Sequence, residues 1–258
     1  MAQRATAQDS IQGGAIYSLP AGSSDTITTI SGAFRVPDAS IPLSGPTANH
    51  QGVYAFSIWV GIGGWNDFYG TASACPAGSG VLRAGIDVYY DGFEDVPMQP
   101  VAWYQYGVSH EGGNFAYAGF SSEPGDLIKI TVSGVSSNVT AIIENYGKVN
   151  TTVGNTPIQK MPPTFGFQGS EVAKTLCRSE AGWIVENGMS ETVPPEPVVL
   201  ANFTEVVFGE LDVSTSSGAK GSATTAKLVN INLPDQGGKL TDCSAPNASE
   251  LRCRRTLN

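Results

Sequence analysis

Three charged side chains sit in contexts that could do chemistry. Arg83 and Asp87 are four residues apart in VLRAGIDVY, and Glu186 closes LCRSEAGWIVE. A carboxylate can take and return a proton, and a guanidinium offers several fixed donors to an oxygen that gains negative charge. Trp59, Trp65, Trp103, Tyr104 and Tyr106 could wall a site around them, with the amide of Gln105 among them. Such a set suits acid–base chemistry at a carbonyl.

Such residues meet only if strands carry them. Along the chain, apolar runs or period-two patterns recur between clusters of Gly, Pro, Ser and Asn, over 26–36, 54–62, 81–90, 101–106, 115–120, 127–133, 139–145, 164–168, 183–186, 198–208 and 226–234. No long stretch keeps a helical period. The reading is all-β: a two-sheet antiparallel β-sandwich in one domain over 1–258, with 1–10 a flexible end and Ser214–Thr225 a loop. Alternation then sorts the faces. Leu82, Ala84, Ile86 and Val88 form an apolar face, and Arg83, Gly85, Asp87 and Tyr89 the other. By the same rule Ser57, Trp59, Gly61 and Gly63 share a face, as do Trp103 and Gln105, and Gly182, Ile184 and Glu186. Bare glycines beside tryptophans and polar groups imply a groove.

Composition narrows the function. With 258 residues and 41% hydrophobic content the chain can bury a full core. A net charge of −9 argues against nucleic acid as a partner. No run reaches the length of a membrane span, and MAQRATAQDS has no apolar stretch of a signal peptide. Four cysteines at no metal-ligand spacing, and N-x-S/T sequons at Asn138, Asn150, Asn202 and Asn247, point to secretion or a secretory lumen. Of three possible connectivities, Cys243–Cys253 and Cys75–Cys177 are expected. No cofactor or metal is expected. The partner is a small-molecule substrate or a peptide in the groove, and the chain is a monomer or weak dimer.

The motifs WVGIGG (59–64), LRAGID (82–87), AWYQYG (102–107) and LCRSEAGWIVE (176–186) occur in an order that resembles the glutamic peptidases, or eqolisins. Their counterparts there read WVGIDG, LQTGFD, AWYEWY and an LC pair ahead of I-x-E. The resemblance implies a sandwich with a substrate cleft on a concave sheet. It implies that Glu186 matches the catalytic Glu, Asp87 a cleft carboxylate, and Trp59 and Trp103 cleft tryptophans. It also places Arg83 where that family has its catalytic Gln, Gly63 in place of an Asp, Gln105 in place of a Glu and Gly107 in place of an aromatic. Ile11-Gln12 stands where Asn-Trp is usual.

Peptide hydrolysis by such a pair needs Glu to activate water and protonate the leaving amine, with the Gln amide on the oxyanion. Arg83 can donate as well, but an Arg83–Glu186 ion pair would fill the space of water and scissile carbonyl. The expectation is therefore a repurposed, non-proteolytic enzyme. Arg83, Glu186 and Asp87 would catalyse isomerisation, dehydration or cyclisation of a small organic substrate. An acid glutamic endopeptidase and an inactive peptide- or glycan-binding pseudoenzyme are the alternatives.

Weaker signals are set aside. His50 and His110 are the only histidines and no G-x-S-x-G occurs, so a Ser-His-Asp hydrolase lacks support. His110 beside Glu111 reads as a loop histidine. Gly61-Ile62-Gly63-Gly64 has no helix after it, and Asp91, Glu94 and Asp95 lack an EF-hand pattern. Asp67 stands beside Trp65 on the groove's expected border.

Overall fold

The computed structural model describes residues 10–42, 52–63, 75, 79–108, 115–135, 138–161, 176–190 and 196–256. Strand character follows from alternation. In β3 (Val53–Gly63), Tyr54, Phe56, Ile58, Val60 and Ile62 are buried on one face, and in β4 (Gly80–Asp91) Leu82, Ala84, Ile86 and Val88 continue it. Facing them, β8 (Leu127–Val135) buries Ile128, Ile130 and Val132, and β9 (Asn138–Asn145) buries Val139, Ala141 and Ile143. Period-two burial on both sides of one interior makes a sandwich.

The first sheet runs β14 (Lys227–Val229), β1 (Gln12–Ser18), β11 (Glu180–Asn187), β3, β4, β6 (Val101–Val108) and β7 (Phe115–Ala116), with β5 (Val96–Pro97) on β4. The second runs β10 (Gln159–Met161), β9, β8, β2 (Ile27–Arg35), β12 (Glu205–Thr215), β18 (Glu250–Arg255) and β17 (Thr241–Asn247), with β13 (Lys220–Gly221) on β12, while β15 (Asn232–Leu233) and β16 (Gly238–Lys239) pair separately. Every pairing between these strands is antiparallel. The expected sandwich is present, and among the described residues no helix is long and apolar enough to cross a membrane.

Trp183 locks the sheets together. It is fully buried, and its Nε1 donates to the Ser31 carbonyl of the opposite sheet at 2.8 Å. A Cβ on Gly32 would lie 2.9 Å from Trp183 Cδ1, so the indole fits only over a glycine. Phe34–Phe208 and Phe56–Phe203 contacts at 5.6 and 4.6 Å fill the neighbouring space. A second, smaller apolar cluster of Ile16, Trp59, Trp103 and Ile184 lies on the other face of the first sheet, which explains why β3 is buried on both sides.

Several segments differ from the sequence reading. The run expected at 198–208 becomes a strand only from Glu205 and extends to Thr215. β1, β17 and β18 were not anticipated: β1 opens on Gln12-Gly13-Gly14, and the last two carry TDCSAPN and ELRCRR, where polar residues interrupt the apolar signal. The stretch Ser214–Thr225 contains the β12–β13 turn and a 3-10 turn at Ala223–Thr225. The run at 164–168 lies outside the described residues.

Both expected disulfides are formed, Cys75–Cys177 and Cys243–Cys253, with sequence separations of 102 and 10. The second joins directly opposed residues of the β17–β18 hairpin. Since closure entropy grows with the logarithm of loop length, removing Cys75–Cys177 should cost about 2 kcal/mol more than removing Cys243–Cys253. Denaturant unfolding of the two double Cys→Ala variants measures this. A larger loss for the hairpin disulfide would show that loop closure does not govern the difference.

Candidate functional site

Register brings the charged residues together. Glu186 stands between Gln12 of β1 and Ser57 of β3, and Ser57 stands beside Asp87 of β4. The next row along the same face is Gly14, Ile184, Trp59, Gly85 and Trp103, and the one after it holds Gly182, Gly61, Arg83 and Gln105. Arg83 and Glu186 are thus two rows and two strands apart. The arginine must cross the tryptophan row to reach the carboxylate.

It does so by lying on the indoles. Its guanidinium carbon is 4.8 Å from the Trp59 ring centroid and 5.5 Å from that of Trp103. Nη1 donates to Glu186 Oε2 at 3.0 Å, and Nε to Gln105 Oε1 at 2.5 Å. Two glycines make this path possible. A Cβ at Gly61 would sit 2.6 Å from Arg83 Cβ, and one at Gly85 would sit 2.7 Å from Trp59 Cβ and 2.8 Å from Trp103 Cζ2.

Glu186 Oε2 also accepts from Trp59 Nε1 at 2.7 Å and from Gln12 Nε2 at 3.5 Å. Three donors converge on one oxygen, and among the described residues none reaches Oε1. The Arg83 and Glu186 side chains are only 17% and 14% exposed, so water screens the pair weakly. Asp87 is held in a parallel way. Its Oδ1 accepts from Ser57 Oγ and Trp103 Nε1, both at 2.5 Å, and its Oδ2 from the Tyr89 hydroxyl at 2.9 Å. Each indole N–H therefore serves one carboxylate.

A cavity of about 820 Å³ opens over this face, with Arg83, Glu186, Gln105, Trp103, Asp87 and Ser57 at one end. Its size is in the range of small-molecule sites. Arg83, Glu186, Asp87 and Gln105 meet as alternation implies. Trp103 lines the cavity, but Trp59 is wholly buried beneath Arg83 and offers no wall to a ligand. Tyr104 and Tyr106 are corrected: they alternate with Trp103 and Gln105, so they point to the opposite face and pack toward the sandwich core. There Tyr104 lies 4.9 Å from Tyr117, and both tyrosines stack on Phe115 at 5.3 and 5.4 Å. Trp65, Asp67, His50, His110 and Glu111 lie outside the described residues. Gln12 was missed because only the β1–β11 pairing reveals it. Ser57 and Tyr89 were visible on the right face, without a sign that they hold Asp87.

Burial pushes the Asp87 carboxyl above the ordinary aspartate range, and the nearby Glu186 charge adds to this; the Ser57, Tyr89 and Trp103 donors offset it only in part. The folded state thus keeps a proton on Asp87 at pH values where the unfolded chain has lost it. Stability must fall as pH rises through the window above that range. Asp87→Asn removes this dependence, so urea unfolding should show the variant gaining on wild type as pH climbs from the ordinary aspartate value toward neutrality. A difference that is flat, or that moves toward wild type, would contradict the burial argument.

Comparison with known proteins agrees with this architecture. No curated protein matches the chain. The sequence profile of the Peptidase A4 family matches residues 10–255, which takes in every strand described above. The ordered motifs on the cleft strands and this near-complete match show that the chain belongs to the Peptidase A4 family.

Proposed function

We propose that this chain is a repurposed, non-proteolytic member of its family, an enzyme that moves protons on a small organic carbonyl compound. The observation that carries the reading is the 3.0 Å ion pair between Arg83 and Glu186 inside the cavity. Resemblance puts Arg83 where the peptidases have their catalytic Gln. A guanidinium spanning Trp59 to Glu186 fills the space in which an attacking water and a scissile amide would have to meet. It leaves intact what carbonyl chemistry needs.

Glu186 Oε1 takes a proton from the carbon next to the carbonyl. The electron pair moves onto the carbonyl oxygen, and a free Arg83 N–H, of the five the group carries, donates to the enolate. Return of the proton to another carbon gives isomerisation. Loss of a β-leaving group instead gives dehydration, and attack of the enolate on an internal electrophile gives cyclisation. Asp87, whose carboxyl burial raises above the ordinary aspartate range, would supply a proton from the far side of Ser57. Family membership favours acid endopeptidase activity as the second reading.

The test is exchange of α-protons of small neutral ketones in D2O, followed by NMR. Wild type should accelerate exchange over buffer, and Glu186→Gln should lower that acceleration by about 10²-fold or more, as loss of a general base does. Arg83→Leu should lower it as well. Exchange that both variants support as well as wild type, or none above buffer, would overturn the proposal.

A further inference from the structure

The far end of the cavity says what kind of carbonyl compound fits. We infer that the site binds a neutral carbonyl compound whose bulk is hydrocarbon, with Val198 and Ala55 setting the size accepted; this rests on the carbonyl reading above. Beyond Asp87 and Ser57 the lining turns apolar, with Val53, Ala55, Phe56, Met189 and Val198 around the ring of Tyr89. Most side-chain hydrogen-bonding groups there are engaged, the exception among the described residues being Asn187 Oδ1, which is buried without a partner. The Tyr89 hydroxyl donates to Asp87, and Ser190 Oγ accepts from the Glu196 N–H at 3.0 Å. A peptide laid along this end would bury most of its amides against Val53, Ala55, Phe56, Met189 and Val198, which offer them no partner, at a cost of roughly 1–3 kcal/mol for each unpaired group. A hydrocarbon body meets no such cost.

Charge excludes the ionic alternatives. The cation of the polar end, Arg83, is already matched by Glu186, and Asp87 is enclosed by three donors. A carboxylate or phosphate taking a spare Arg83 N–H would sit beside the Glu186 charge and close to Asp87, which disfavours it. A cation would have to compete with Arg83 for Glu186. A neutral C=O needs only a spare guanidinium N–H.

The apolar wall is built in advance. Past the end of β11, residues 188–190 pair antiparallel with 196–198, with Val198 N donating to Gly188 O at 2.9 Å and Ser190 N to Glu196 O at 2.8 Å. Two side-chain amides fix the Val198 carbonyl, Asn187 Nδ2 at 2.7 Å and Gln236 Nε2 at 2.9 Å. A Cβ on Gly188 would lie 2.9 Å from Ala55 Cβ and 3.0 Å from Val198 Cγ2, so these two side chains stand close at the cavity edge. Val53, at 45% exposure, marks where the apolar end opens to solvent. A held wall costs a ligand little ordering on binding.

The experiment titrates the protein with prodan, a neutral naphthalene ketone whose emission moves to the blue in apolar surroundings. The comparison ligand carries a carboxylate in place of the propionyl group. Wild type should bind prodan with a blue shift and the acid at least about tenfold more weakly; Val198→Phe and Ala55→Leu, folded by circular dichroism, should each lose about tenfold or more. No blue shift, equal affinity for the acid, or wild-type affinity in both size variants would overturn the inference. Prodan binding without α-proton exchange would instead sink the catalytic reading and leave this one standing.

Discussion

A guanidinium laid across two indoles is the constraint to which the rest of the site answers. Arg83 can reach Glu186 only by crossing the row of Trp59 and Trp103, and that crossing fixes the residues around it. Gly61 and Gly85 must lack side chains, Gln105 must accept from Nε, and Trp59 must turn its N–H to the same carboxylate oxygen. Leaving one partner of a largely buried ion pair alone is expensive, of order 3–5 kcal/mol. The pair therefore holds the cleft in one arrangement, and a ligand enters a site whose polar end is already organised.

The same economy explains the second carboxylate. Asp87 is two residues beyond Gly85 on the face of Arg83, yet among the described residues it makes no ion pair; three neutral donors hold it. Two acidic groups on one floor thus live in different surroundings, one facing a cation and the other facing hydroxyls and an indole. Environments of that kind separate the roles of like groups in acid–base sites. The fold achieves this with strand register alone, since Glu186, Ser57 and Asp87 lie in one row across three neighbouring strands.

Much of this could be read before any coordinates. Period-two patterning put Arg83 with Asp87, Trp103 with Gln105, and Glu186 with Gly182 on shared strand faces, and glycines marked where the groove needed room. Alternation also placed Tyr104 and Tyr106 on the core side of Trp103 and Gln105, but their aromatic character outweighed that signal. Trp59 was on the right face, but its full burial depends on Arg83 folding down over it, a tertiary contact no local pattern encodes. β1 was illegible because glycines weaken its strand signal, and Gln12 went with it. The C-terminal hairpin was missed for a different reason: Arg252 and Arg254 alternate with buried Leu251 and Cys253, so half of each period is charge.

Whether the Arg83–Glu186 pair has displaced peptide hydrolysis can be measured directly. Cleavage of an unfolded protein is followed from strongly acid to neutral pH with wild type, Arg83→Gln and Glu186→Gln in parallel. Wild type should cleave at no pH if, as proposed, the guanidinium takes the space an attacking water needs. Cleavage by wild type that vanishes in Glu186→Gln would contradict it and make Arg83 a working oxyanion donor in a peptidase.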